Sequence, residues 1–140
     1  LESFVAVAAE GDHFAVAAET CDIDFPLPQS ILEVARDGTW VNLGGRRGGS
    51  SDDGVPLADA DVLVTGFAHD AHGNLVYADG GRIRSVDHAT TVVTTLAGDW
   101  QGVTGDYVPA SLALLQGARD PVIDARGRIW FIDGGVRVFW

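Results

Sequence analysis

The chain reads as short apolar runs, rich in Val, Ile and aromatics, punctuated by turns of Gly and Asp. Such runs predict β-strands rather than helices. A first unit carries candidate strands at Phe4–Ala9, His13–Ala18, Ile31–Arg36 and Thr39–Leu43. Its turns are Glu10-Gly11-Asp12 and Asp37-Gly38, and Asp-Gly between apolar runs is a strong hairpin signal. Thr20–Ser30 holds Pro26 and Pro28. Proline cannot donate to a strand ladder, so this stretch is expected to be an inserted loop. A second unit has candidate strands at Val62–His69, Asn74–Ala78, Arg82–Val86 and Thr91–Leu96. A third has Ala118–Ile123, Ile129–Ile132 and Val136–Phe139, and lacks a fourth. Two linkers, Gly44–Asp61 and Ala97–Gly117, join the units, each ending in an Ala- and Leu-containing stretch expected to make one short helical turn.

The units repeat. Residues 70–84 read DAHGNLVYADGGRIR and residues 124–138 read DARGRIWFIDGGVRV, at an offset of 54. The linkers match at an offset of 53, with Asp53 paired to Asp106 and Pro56 to Pro109. A period of roughly 40–55 residues made of strands marks a propeller or solenoid. The predicted fold is therefore all-β: propeller blades of four-stranded antiparallel sheets, at about 4–43, 62–96 and, incomplete, 118–140. Leu75, Tyr77, Ile83, Ile129 and Phe131 are the expected inter-blade core. A propeller closes with about four to eight blades. Nearly three blades make an open arc, which is expected to need remaining blades, a protein partner or further copies of itself.

Within the repeat, Gly66-Phe67-Ala68-His69-Asp70, Gly73-Asn74-Leu75-Val76-Tyr77-Ala78-Asp79 and Arg82-Ile83-Arg84 resemble the NHL-repeat β-propellers. Thr94-Thr95-Leu96-Ala97-Gly98, Gly105-Asp106, Pro109-Ala110 and Ala113-Leu114 are similar to the long-linker subclass of that family. The match is strong across 62–138, moderate across 39–61 and weak across 1–36. Unit one has Glu10-Gly11-Asp12 in place of the Gly-Asn turn. Unit three has Arg128 where unit two has Asn74, and Val136-Arg137-Val138 where unit two has Arg82-Ile83-Arg84. The resemblance implies a secreted or cell-surface setting. It also implies a rival function, because some six-bladed propellers of this kind are lactonase- or lyase-like enzymes with a metal in the central channel.

Charge narrows the partners. The net charge is −11, and all nine basic residues are Arg. A nucleic-acid surface needs clustered cations, and Arg46-Arg47 is the only adjacent pair. No apolar run is long enough to span a bilayer as a helix. The chain has no Met, so it is expected to be a processed or excised piece. A single cysteine, Cys21, excludes an internal disulfide.

His69-Asp70-Ala71-His72 is the one local cluster with metal-ligand or proton-transfer chemistry. Strand alternation would set His69 and His72 on opposite sides unless a turn relaxes it, and Asp70 has a structural twin in Asp124. His13 and His88 read as isolated and solvent-facing. Ser50–Gly54 lacks the spacing of a calcium loop, and Gly44–Gly49 lacks the Lys-Ser/Thr of a phosphate loop. No catalytic residue and no cofactor are expected, with calcium or zinc as the minor alternatives. Candidate partner contacts are Arg46, Arg47, Trp100 and Tyr107. Gly73, Asp79, Gly80, Gly127, Asp133 and Gly134 are assigned to turns, where Gly supplies positive φ and Asp accepts backbone N–H groups. These residues point to a non-enzymatic binding or scaffold module for proteins or glycans. Its contact loops would be 44–61, 97–117 and 20–30. A structural subunit docked in a large assembly is the third reading.

Overall fold

The computed structural model describes residues 3–22, 25–45, 49, 51–105 and 107–139. Three antiparallel sheets follow one another along the chain. The first runs β1 (Ser3–Glu10), β2 (His13–Asp22), β3 (Phe25–Ala35) and β4 (Trp40–Gly44), paired in that order. The second runs β5 (Gly66–His69), β6 (Leu75–Ala78), β7 (Ile83–Val86) and β8 (Val93–Ala97). The third holds β9 (Arg119–Ile123), β10 (Ile129–Ile132) and β11 (Val136–Phe139). Each is a meander, the connectivity that tight Gly-Asp turns impose. β1 lies against β5, and β5 against β9. The first strands thus line the inner edge of an arc from which the sheets fan outward as propeller blades.

Alternation along the strands gives each sheet two packing faces. Ala15, Ala17 and Ile31 of the first sheet meet Leu75, Tyr77, Val86 and Val93 of the second in one buried cluster. On its other face the second sheet presents Val76, Ala78, Ile83 and Ala97, which meet Ile129 and Phe131 of the third. Every junction therefore joins a following face of one sheet to a preceding face of the next. At the inner edge the approach is close enough to exclude a side chain. A Cβ on Gly66 would lie 2.6 Å from the Asp120 backbone nitrogen. Thr65 Oγ1 donates to the Ala118 carbonyl at 2.7 Å across the same seam.

The linkers each contain one 3-10 turn, at Leu57–Asp59 and Ala110–Leu112. The first linker belongs to the second sheet. Gly54 N donates to Val93 O, Val93 N to Val55 O, and Leu57 N to Thr91 O, so 54–57 run beside the start of β8. Arg82 and Arg84, on one face of the sheet, reach out to it. Arg82 Nη1 donates to the Ser51 carbonyl at 2.7 Å, and the fully buried Arg84 donates through Nη2 to the Asp52 carbonyl at 2.8 Å.

Two expectations are corrected. The loop foreseen at 20–30 is instead a hairpin extension, with β2 reaching Asp22 and β3 starting at Phe25. Cys21 pairs with Pro26 and Asp22 with Phe25, after a bulge between Glu19 and Cys21. Among the described residues β4 pairs with β3 over Ile31–Val34 and not over 25–29. On such an unpaired side of a strand a missing N–H removes no ladder bond, so prolines are tolerated. The second correction concerns the third sheet. Ala78 pairs with Ile83 across the turn in the second sheet, whereas Ile132 pairs with Val136 in the third. The turn is one residue shorter, so Val136 corresponds to Ile83, and Arg137 to Arg84.

Candidate functional site

A cleft of about 480 Å³ opens between the first and second sheets. All four histidines of the chain line it: His13, His69, His72 and His88, together with Glu33 and Asp87. His13 opens β2 and Glu33 lies on β3, both on the side of the first sheet that faces the second. His69 ends β5. The turn that follows carries His72 round to the same cleft, and it is built by Asp70. Asp70 Oδ1 accepts His72 N at 2.8 Å and Asn74 N at 2.9 Å, while Oδ2 accepts Asn74 Nδ2 at 2.9 Å. Gly73 closes the turn at φ 81°. Asn74 Oδ1 then accepts His88 N at 3.0 Å, which fastens this turn to the next one. Asp87 Oδ1 fixes that second turn through Ala89 N, Thr90 N and Thr90 Oγ1.

Burial raises the Asp70 carboxyl, but its bonds from Asn74 and the His72 N–H outweigh that and hold it below the usual carboxylate range. Asp87 is also lowered, by its bonds from Thr90 first and Ala89 after. The two turns that carry His72 and His88 are thus each tied by several side-chain bonds and joined through Asn74. His13 and His88 are exposed, as foreseen, yet they belong to one constellation with the other two. Among the described residues no three His, Cys, Asp or Glu side chains stand close enough to hold a metal ion.

A second cleft of about 350 Å³ lies between the second and third sheets, lined by Asp70, His72, Val76, Leu96, Asp124 and Ile129 among others. Asp124 repeats the role of Asp70. Its Oδ1 accepts Arg126 N at 2.8 Å and Arg128 N at 3.1 Å, and its Oδ2 accepts Trp130 Nε1 at 3.0 Å. The Trp130 bond is the largest reason why this carboxyl is held far below the usual range. Arg128 bonds the same carboxylate and lies over the Trp130 ring, 5.2 Å from its centroid.

The turn residues divide. Gly80, Gly127 and Gly134 have φ of 81°, 79° and 68°. Asp79 Oδ1 accepts Gly81 N and Arg82 N within its own turn, and its Oδ2 accepts Arg82 Nε. Asp133 also reaches outside its own turn. Its Oδ1 accepts Gln116 N at 2.9 Å and Gly117 N at 2.8 Å, anchoring the end of the second linker. In the shorter turn the Asp133 backbone N–H already bonds Gly135 O.

Of the contact candidates, Arg46 and Arg47 lie outside the described residues. Trp100 is 61% exposed, yet one side of its ring rests on the Gly81 backbone and Arg82 lies 5.7 Å from its centroid. Tyr107 is fully exposed at a loop tip, with φ 64°. The structure adds two residues that sequence reasoning missed, Val103 and Leu112, 57% and 51% exposed. Val103 N donates to Leu112 O, and Leu114 N to Val103 O, so both sit on adjoining strips of the second linker.

Neither a family model nor a curated protein sequence matches the chain. Among solved structures, a structural genomics protein of unknown function from Bacteroides thetaiotaomicron is similar at TM-score 0.69 and 16% identity. The match covers 96% of this chain and 46% of that one, so this chain spans less than half the length of its structural relative. The extracellular domain of a putative one-component system from the same species is matched at TM-score 0.41 and 11% identity, over 96% of this chain and 27% of that one. At such identities the first likeness is one of fold alone: the chain is an arc of antiparallel sheets of the kind that the Bacteroides protein also contains.

Proposed function

We propose that the chain is a segment of an NHL-type propeller and works as a non-catalytic binding module, with the second linker as its contact surface. The observation that carries this reading is an internal comparison. Trp100, Val103, Tyr107 and Leu112 are exposed apolar residues on one loop. At the linker offset of 53 their counterparts are Arg47, Ser50, Gly54 and Asp59. The first linker therefore serves the same place in the repeat without apolar residues at these positions, so the fold does not demand them. Aromatic and aliphatic side chains held in water on a fixed loop are the usual material of recognition sites. The partner is a secreted or cell-surface protein or glycan, in line with the setting that the resemblance implies.

The test is a panel of polysaccharides and extracellular proteins screened by biolayer interferometry. A ligand bound by the chain and lost by the triple variant Val103→Ser, Tyr107→Ser and Leu112→Ser supports the reading. A ligand that binds the triple variant equally well overturns this assignment of the surface. The metal-dependent enzyme is the second reading: four imidazoles line one cleft, although among the described residues no three metal-ligating side chains stand close enough to share an ion, so it would need further ligands or a rearrangement. Zinc uptake that disappears in His69→Ala would support it, and the absence of uptake by the chain would remove it.

A further inference from the structure

The cleft between the first and second sheets holds a charge that no side chain of the described residues answers. Glu33 is half-buried on the face that the first sheet turns to the second, in line with the buried Ala15, Ala17 and Ile31. A carboxylate on a packing face loses hydration unless a partner replaces the water. Among the described residues no hydrogen bond or ion pair engages the Glu33 side chain. The chain has no Lys, and no described Arg lines the cleft. Arg36, near His13, pairs with Asp12 at 3.5 Å. Asp87 brings a second carboxylate from the other wall. The three bonds that build its turn all end on Oδ1 and none on Oδ2. The repeat shows that the fold does not require a carboxylate at position 33. In the first sheet Ala15 pairs with Glu33 and Ala17 with Ile31. In the second, on the face turned to the third, Val76 pairs with Ser85 and Ala78 with Ile83. Ser85 thus takes the place of Glu33, and that junction packs with a neutral side chain there.

We infer that this cleft binds a small aliphatic amine, its ammonium group held by Glu33 and Asp87 and its hydrocarbon part laid on an apolar floor. Ala15, Leu43, Leu75 and Val86 supply that floor. Imidazoles are ordinarily neutral at pH 8, so the four histidines offer ring nitrogens that accept N–H groups of the amine. Charge sets the sign of the ligand. Among the described residues, the ionised groups lining the cleft at that pH are the two carboxylates, which attract a cation and repel an anion. The volume of about 480 Å³ lies within the range of about 300–1,000 Å³ usual for small-molecule sites. An ammonium imposes no coordination geometry, so the spacing that keeps three side chains from sharing a metal ion is no obstacle to it. The inference is independent of what the second linker binds.

The experiment is titration calorimetry with 1,4-diaminobutane, and with succinate as the anionic control, at pH 8 in 150 mM sodium chloride with EDTA. The wild type is expected to bind the diamine one to one and not to bind succinate. Glu33→Gln keeps the shape and removes the charge, and is expected to bind about tenfold more weakly or less, with an unchanged circular-dichroism spectrum. Asp59→Asn removes the same charge at a residue outside the cleft and should keep the wild-type affinity. That comparison separates a site from general attraction to a chain of charge −11. A second readout needs no variant. All four histidines line the cleft, so their imidazole proton resonances should shift as the diamine is added. No binding by the wild type, equal binding by Glu33→Gln, tighter binding of succinate, or unmoved histidine resonances would each overturn the proposal. The Val103→Ser, Tyr107→Ser and Leu112→Ser triple variant binds the diamine as the wild type does, which separates this result from the assay of the second linker.

Discussion

At the scale of single residues, the most consequential placement is Tyr77. It is completely buried, directly across the strand pair from Arg84, and among the described residues its hydroxyl makes no hydrogen bond of good geometry, the Arg84 guanidinium being its nearest polar neighbour. Burial pushes its hydroxyl up to about 12. The unfolded chain would lose that proton near 10, so stability falls as pH rises from about 10 toward 12. Tyr77→Phe is expected to remove this alkaline loss and to melt no lower at pH 7, since an unpaired buried hydroxyl costs about 1–3 kcal/mol. Thermal melts at pH 7 and pH 11 check both parts. Gly66→Ala should cost about 1–3 kcal/mol, the range for overpacking, because its Cβ would meet backbone rather than a movable side chain; urea unfolding measures it. The residues of the histidine cleft show where sequence reading stops. His69 and His72 are neighbours on the page, but His13 and His88 join them only because two sheets pack face to face. Nothing local to His13 records that approach.

At the scale of elements, β-strand spacing was legible because Gly-Asp turns and β-branched runs act locally. Register was not. A constant offset of 54 sets Val136-Arg137-Val138 beside Arg82-Ile83-Arg84 and hides the kinship of Arg137 with Arg84. The turn at Asp133 drops one residue, and only strand pairing reveals it. The proline-bearing stretch was misread for a related reason, since sequence cannot tell an edge from a central strand. Linker attachment is also an element-level property. Asp53 Oδ1 accepts Thr95 N, Thr95 Oγ1 and Arg84 Nη2, which hold its carboxyl below the usual range against the opposing effect of burial. The lowered value means that this contribution is present above about pH 4 and is lost as pH falls through the folded value. Asp53→Ala is expected to cost about 1 kcal/mol at pH 7, a half-exposed carboxylate being screened. Much less difference from wild type should remain at pH 2. Urea midpoints at both pH values decide this.

At the scale of the whole molecule, the net charge of −11 sits on a domain of 140 residues. Self-repulsion of that size opposes compaction and is screened by salt. The melting temperature is expected to rise between 20 and 500 mM sodium chloride, by roughly the few degrees that about 1 kcal/mol shifts a domain this size. A fall would mean that ion pairs such as Arg84–Asp53, at 3.2 Å, outweigh the repulsion. Architecture at this scale was the most legible property of all, because repeated turns and repeated strands leave few alternatives. What the repeat could not convey was the difference between its copies, and it is there, in the apolar second linker, that the binding reading begins.

The first linker has a consequence for anyone dividing this fold into parts. Residues 51–57 precede the second sheet in sequence, yet they are bolted to its outer strands by Arg82, Arg84, Val93 and Thr95. The transplantable module is therefore not a set of four strands alone but a strap plus the strands that follow it. An excision starting at 62 would strip a buried guanidinium of its acceptors, whereas one starting near 49 would carry them along. Grafts or deletions of single repeats should be cut ahead of the strap.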